Sequence, residues 1–194
     1  MENTGYLSKI LRSPQTVFSF QDVISLWGED ATNAARVRVN YYVKNGELYP
    51  IRRGIYAKDK NYDKYEAGNK IYTPSYIGFE TVLSRSGVLL RHFNQVFLAS
   101  YLSREITADD QVYVYRKIKD SVLNNDSGVE HRFLYSIATP ERAFLDLVYI
   151  SGEHHFENLS ALNWEKVFSL LPIFDSSDLE KRIRKYYEQF QSSE

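Results

Sequence analysis

The chain of 194 residues contains no cysteine. That absence excludes disulfide scaffolds, zinc ribbons and fingers, iron–sulfur ligation and thiol catalysis together, and it suits a reducing compartment. Long apolar runs are missing too. No stretch reaches the roughly 18 apolar residues a spanning helix requires. The opening MENTGYLSKI places no basic segment ahead of an apolar one, so no signal peptide is expected. Internal repeats and low-complexity tracts are absent. Hydrophobic residues at 43% and charged residues at 25% exclude a collagen, a coiled-coil rod or a disordered chain. The motifs G-x-x-x-x-G-K-[ST], G-x-G-x-x-G and G-x-S-x-G do not occur, which removes the common phosphate-binding loops and the serine nucleophile elbow. The expectation is a globular cytoplasmic protein of one large or two small domains, without membrane contact or cofactor.

A charge excess of either sign is lacking as well. Lys and Arg number 24 against 25 Asp and Glu, a net charge of −1. The sum hides a division. Residues 32–64 carry eight cations (Arg36, Arg38, Lys44, Arg52, Arg53, Lys58, Lys60, Lys64) and three anions (Glu47, Asp59, Asp63), a net of +5, which leaves −6 for the rest. A basic block on an acidic body points to a polyanion contact at that block.

What the chain does contain is readable as elements. Tyr6, Leu7, Ile10 and Leu11 form one apolar stripe, a short helix stopped near Pro14. Thr16–Phe18 is a brief β-type run. Ser19 with Asp22 three residues on is a capping-box start for a helix carrying Phe20, Val23, Ile24 and Trp27, ended by Gly28. A second helix is expected over about 31–45, capped by Asp30 and ended by Gly46. Ala35, Val39, Tyr42 and Val43 form its apolar side; Asn33, Arg36, Asn40 and Lys44 lie opposite. Leu48–Ile51 and Ile55–Ala57 flank Arg52-Arg53-Gly54 as a β-hairpin, with Pro50 assigning its strand to an edge. The charged, turn-prone residues 58–72 read as a boundary. Beyond them the spacing predicts a helix over 75–86, strands over 95–99, 111–116 and 132–138, a helix opened by Thr139-Pro140-Glu141, and two closing helices near 164–171 and 177–190.

Helix, turn, helix and basic hairpin in succession describe a winged helix-turn-helix. In that fold the second helix lies in the major groove, where Arg pairs bidentately with guanine and Asn with adenine. Asn33, Arg36 and Asn40 are therefore the candidates for base-edge contact, and Thr32, Lys44, Arg52 and Arg53 for phosphate and wing contact. Enzyme signals are poor. His154-His155 is an adjacent pair that cannot converge on one metal from a helix, with no third ligand near. Glu80, Glu130 and Glu141 lack the spacing of a metal-dependent nuclease and read as scattered surface acids. No catalytic residue and no metal site are expected. The aromatic strands 95–99 and 111–115 read as core rather than as a base-stacking platform.

Three segments in register also resemble the AbiEi-type antitoxins of bacterial abortive-infection, type IV toxin–antitoxin systems. They are residues 45–57 around Tyr49-Pro50-Ile51-Arg52-Arg53-Gly54, residues 76–83 (Tyr76-Ile77-Gly78-Phe79-Glu80-Thr81-Val82-Leu83) with Gly87, and Ile137-Ala138-Thr139-Pro140-Glu141-Arg142-Ala143-Phe144-Leu145-Asp146-Leu147. The resemblance spans about residues 5–150; Arg142 stands where the family more often has Lys. It implies a DNA-binding regulator that represses its own operon through inverted repeats in the promoter, with a second domain needed for antitoxicity. The functional partner it implies is a nucleotidyltransferase-like toxin, which need not be gripped directly. The expected fold class is α+β: an N-terminal winged helix-turn-helix over 1–60, a linker over 61–72, and a mixed α/β domain over 73–194 ending in helices. The competing expectation is a protein-interaction module that neutralises a partner enzyme without touching DNA.

Overall fold

The computed structural model describes residues 3–192, so the expectation about a leader peptide rests partly on residues outside that range. The chain divides into two compact units. One runs through Ile71 and also takes Ala108–Asp110; the other takes Tyr72–Thr107 and the chain from Gln111 onward.

The first unit begins with helix α1 (Asn3–Arg12), strand β1 (Val17–Ser19) and helix α2 (Phe20–Trp27). Helix α3 (Asn33–Lys44), strands β2 (Tyr49–Arg52) and β3 (Ile55–Ala57) and helix α4 (Lys64–Ile71) follow. The capping box is present at α2: Ser19 accepts from the Asp22 amide while Asp22 accepts from the Ser19 amide. Gly28 ends that helix at φ 72°, in the left-handed region that glycine enters without a Cβ penalty. Helix α3 starts later than expected. The cap is Thr32, whose hydroxyl accepts from the Ala35 amide at 3.1 Å, and not Asp30, whose carbonyl accepts from the Thr32 amide at 2.8 Å. Strand order β1-β3-β2 leaves β2 on an edge, the position in a sheet that tolerates Pro50. Ile10, Phe18, Val23, Ile24, Trp27, Ala35, Val39, Tyr42 and Leu48 form one buried cluster beneath the helices. At about 1.5–3 kcal/mol for each large aliphatic or aromatic side chain removed from water, that cluster dictates which face α3 turns inward.

The linker expected over 61–72 is instead largely helix α4, packed on β1 and β3. Two interactions hold it there. Asp63 caps it by accepting from the amides of Tyr65 and Glu66 at 2.7 and 2.9 Å. Glu66 is buried and accepts from the Thr16 amide and hydroxyl at 2.9 and 2.6 Å and from the Val17 amide at 3.2 Å. A charged stretch became structure because its one inward acid satisfies donors of Thr16 and Val17 at the start of β1.

The second unit is built on a six-stranded mixed sheet. Its strands are β4 (Ser75–Ile77), β5 (Val96–Ser100), β6 (Arg104–Ala108), β7 (Gln111–Lys117), β8 (Val129–His131) and β9 (Ser136–Ala138), in the order β6-β7-β5-β4-β9-β8. Strand β4 runs antiparallel to β5 and parallel to β9, and β5 runs parallel to β7. Helices α5 (Phe79–Arg85) and α7 (Pro140–Ser151) pack against each other, α5 on β5 and α7 on β9. Helix α6 (Asp120–Leu123) lies between β7 and β8, and α8 (Trp164–Leu170) and α9 (Ser177–Gln191) close the chain against α7. The architecture is α+β with helices at the C-terminus.

Two expectations fail here. The helix expected over 75–86 is strand β4 followed by α5, because Ser75-Tyr76-Ile77 is the strand between β5 and β9, and Gly78, extended at φ −155°, separates it from the helix. The strand expected over 132–138 is a hairpin, in which β8 and β9 pair antiparallel and the Arg132 amide donates to the Tyr135 carbonyl at 2.9 Å across the turn. The start at Thr139-Pro140-Glu141 is as expected, with the Thr139 side chain accepting from the Arg142 amide and proline in the first turn.

Candidate nucleic-acid interface

Helix α3 has two sides. Ala35, Val39 and Tyr42 are buried in the unit's core, while Asn33, Arg36, Asn40 and Lys44 are exposed. The last three fall at i, i+4 and i+8, one row along the outer surface. Thr32 starts that row, though its hydroxyl is engaged in capping the helix. Arg52 and Arg53 are exposed at the turn of the β2–β3 hairpin, where Gly54 adopts φ 80°. Such a φ is unfavourable for any residue with a Cβ, so this tight turn depends on glycine.

One residue ties the helix row to the hairpin. The Phe20 amide donates to the Gly54 carbonyl at 3.0 Å, and the Arg36 guanidinium lies 4.9 Å from the centre of the Phe20 ring. Arg36 also lies close enough to the Tyr56 phenol to act on its ionisation: burial raises that pKa, and the guanidinium draws it down. Arg36 is thus held over an aromatic face beside the hairpin turn while the residue stays exposed.

Other cations of the basic block are engaged within the fold. Arg38 pairs with Glu29 through one guanidinium nitrogen that reaches both carboxylate oxygens, at 2.8 and 2.7 Å. It also lies over the rings of Tyr6 and Trp27 at 4.0 and 5.3 Å. A hydrogen bond with Tyr6 foremost, and Arg38 with it, holds the Glu29 carboxyl below its ordinary range against the effect of burial. Lys58 donates to the Ser13 carbonyl. The net of +5 therefore overstates the charge available to a ligand.

Two further exposed residues, not among the expected contacts, lie on the same face. Val37 is 68% and Tyr41 50% exposed, between and beside the polar positions of α3. Their signal was available: both lie outside the Ala35, Val39, Tyr42 stripe, and the wheel that buries those three turns Val37 and Tyr41 outward.

The second unit engages several of its charged residues in internal bonds. Arg142 is fully buried and donates to Asp146 at 3.0 Å, the Tyr76 hydroxyl at 3.0 Å, and the carbonyls of Val122, Asn125 and Ser127 at 2.7, 3.0 and 2.6 Å. Burial pushes the Asp146 carboxyl up to about 6, against the pull of Arg142 and the Tyr76 hydroxyl. The three carboxylates weighed as nuclease candidates have separate partners. Glu80 receives two bonds from Arg116 at 2.8 and 2.7 Å, Glu130 pairs with Arg132 at 3.0 Å, and Glu141 accepts from the Asn163 amide at 3.2 Å. Glu80 and Glu141 are buried, so the expectation of surface acids is wrong for these two. The His154 ring lies 5.1 Å from that of Phe156, beside a cleft of about 800 Å3 lined by Arg182, Lys185 and Gln189 as well. Among the described residues, no group of three or more His, Cys, Asp or Glu side chains could hold a metal ion, and no helix is long and apolar enough to cross a membrane.

Comparison with known proteins bears on the fold. The class is an α+β chain with an N-terminal helical and hairpin unit and helices at its end. The crystal structure of the RV2827C protein from Mycobacterium tuberculosis is similar, with TM-score 0.52 at 10% identity, over 91% of this chain and 73% of that one. At that identity the likeness is one of fold alone. Neither family models nor curated proteins match the chain.

Proposed function

We propose that the protein is a DNA-binding transcriptional regulator whose first unit is a winged helix-turn-helix, with α3 as the recognition helix and the β2–β3 hairpin as the wing. The observation that carries this reading is the Phe20 junction, which joins the Arg36 side of α3 to the Arg52-Arg53-Gly54 turn. A helix row of Arg36, Asn40 and Lys44 beside a turn with two arginines suits a duplex. The helix offers side chains that read base edges, and the turn offers cations for the phosphates. Trp27 and Val23 of α2, buried under α3, hold the recognition helix at a fixed pitch.

Together with the resemblance of residues 45–57, 76–83 and 137–147 to AbiEi-type antitoxins, this reading makes the chain the antitoxin and autorepressor of a toxin–antitoxin operon. Its ligand is then the inverted repeats upstream of its own gene, and its functional partner a nucleotidyltransferase-like toxin. The test is binding of the full chain to that upstream duplex and to a random duplex of equal length. Arg36→Ala is expected to weaken specific binding by about 1–3 kcal/mol. Equal loss on both duplexes would remove its base-reading role.

A second reading, a protein-interaction module without DNA, draws on Leu90 and Phe133, which are 72% and 76% exposed in the second unit. Co-purification with the product of the neighbouring gene, together with no shift of the upstream duplex, would favour it.

A further inference from the structure

The two rows of α3 differ in chemistry. Arg36, Asn40 and Lys44 make the polar row. The adjoining row, again at a spacing of four, is Asn33, Val37 and Tyr41. Among the described residues the large apolar side chains that stay exposed, from 41% to 76%, are Leu11, Val37, Tyr41, Leu90, Tyr101 and Phe133. Two of the six lie one turn apart on α3, interleaved with donors and surrounded by the basic block. Burying Val37 would relieve the cost of hydrating it, yet the core stripe of Ala35, Val39 and Tyr42 turns it outward.

Of the groups in the major groove of a duplex, the thymine C5-methyl is the apolar one. Guanine and cytosine offer only polar edges there, and adenine offers the acceptor–donor pair that asparagine matches. Val37 is adjacent to Asn33 and Asn40 on the helix surface, at i−4 and i+3. The face therefore sets an apolar contact beside two adenine-type readers. Valine is held near one rotamer in a helix, so its methyl groups are presented at little entropic cost. Tyr41 is steadied by the edge of Tyr42, with ring centres 5.8 Å apart at 70°. The surrounding cations favour a polyanion over an apolar protein surface at this face.

We infer that Val37, supported by Tyr41, reads thymine methyl groups, so that the duplex bound by α3 carries A·T pairs beneath the middle of the helix. The inference rests on the duplex-binding reading of α3 and adds to it the base class recognised.

The experiment starts from a randomised duplex pool selected on the full chain. Each thymine of the recovered sequence is then replaced singly by deoxyuridine, which removes the methyl and keeps the pairing. The expected result is an affinity loss of about three- to fivefold at one or two positions, the worth of one buried methyl. Val37→Ala should lose as much on the thymine duplex and show no further loss on the deoxyuridine duplex. Alanine is a better helix former than valine, so this variant keeps α3.

Equal affinity for both duplexes, with enrichment still dependent on Arg36, overturns methyl reading and leaves duplex reading standing. A methyl effect unchanged by both Val37→Ala and Tyr41→Ala assigns it elsewhere and also overturns the inference. No enriched sequence at all removes duplex reading itself, and this inference with it. Concentration-dependent self-association that Val37→Ala abolishes, with duplex affinity unaltered, gives the face to a second copy of the chain and overturns the inference too.

Discussion

At the scale of single residues, two side chains decide whether their surroundings hold together. Asp22 closes the capping box of α2 and pairs with Lys70 of α4 at 2.9 Å. Burial raises its pKa, but Lys70 and the bonds from Ser19 outweigh burial, and the net shift is downward. A carboxyl depressed in the fold contributes stability that is present above its unfolded pKa and is lost as pH falls through the lower folded value. The first unit should therefore weaken in acid below about pH 4, and Asp22→Ala should cost about 1 kcal/mol at neutral pH and much less in strong acid. Urea unfolding at pH 7 and pH 3 checks both statements.

Arg142 holds the second unit in the same way and at higher stakes. Arg142→Met leaves Asp146 buried without its cation and frees three carbonyls, at a cost of about 3–5 kcal/mol. The Asp146 carboxyl is already raised to about 6, and loss of the guanidinium raises it further. A group raised in the fold contributes stability at low pH that is lost as pH rises through its folded pKa. The deficit of Arg142→Met should thus grow between pH 5 and pH 8, and a deficit independent of pH would count against a buried ionisable partner. Gly128 belongs to this site: at φ 75°, an added Cβ would meet the Arg142 Cβ at 2.8 Å.

At the scale of elements, caps and local pattern were the legible part. Ser19 with Asp22, Gly28, Gly46 and Thr139-Pro140-Glu141 each mark an end that the fold uses, because a cap is a short-range hydrogen bond that sequence spacing alone satisfies. Pro50 marked an edge for an equally local reason. Long-range partners were not legible. Residues 58–72 read as a boundary because nothing local shows that Glu66 meets Thr16 and Val17. A trace existed in Asp63 followed by Glu66, a capping spacing hidden among turn residues. Ser75-Tyr76-Ile77 read as helix because two apolar-leaning residues after a serine fit either period until the neighbours β5 and β9 are known.

Of the site, the row of Arg36, Asn40 and Lys44 followed from periodicity, whereas the withdrawal of Arg38 by Glu29 and the outward placement of Val37 needed the packed helix. Thr32 shows what misplacing a cap does. Expected at phosphate, it also caps α3, so Thr32→Ala should cost about 1 kcal/mol of first-unit stability. Its hydroxyl accepts in the cap and keeps its proton to donate, so a phosphate contact would add a loss of duplex affinity to that loss of stability.

At the scale of the whole molecule, a net charge of −1 would discourage a nucleic-acid partner if charge were spread evenly. It is not spread evenly, and the fold narrows the basic block further by engaging Arg38 and Lys58. The exposed arginines of the turn should then act through charge alone. Arg53→Ala is expected to weaken all duplexes alike and to lower the slope of log affinity against log salt by about 1.

The most direct measurement of the account is fluorescence anisotropy of the full chain on its own upstream duplex and on a random duplex, at physiological salt. Specific duplex reading by α3 requires at least about a thousandfold tighter binding to the upstream duplex, with that margin cut by Arg36→Ala. Equal weak binding to the two duplexes, or none to either, would contradict it.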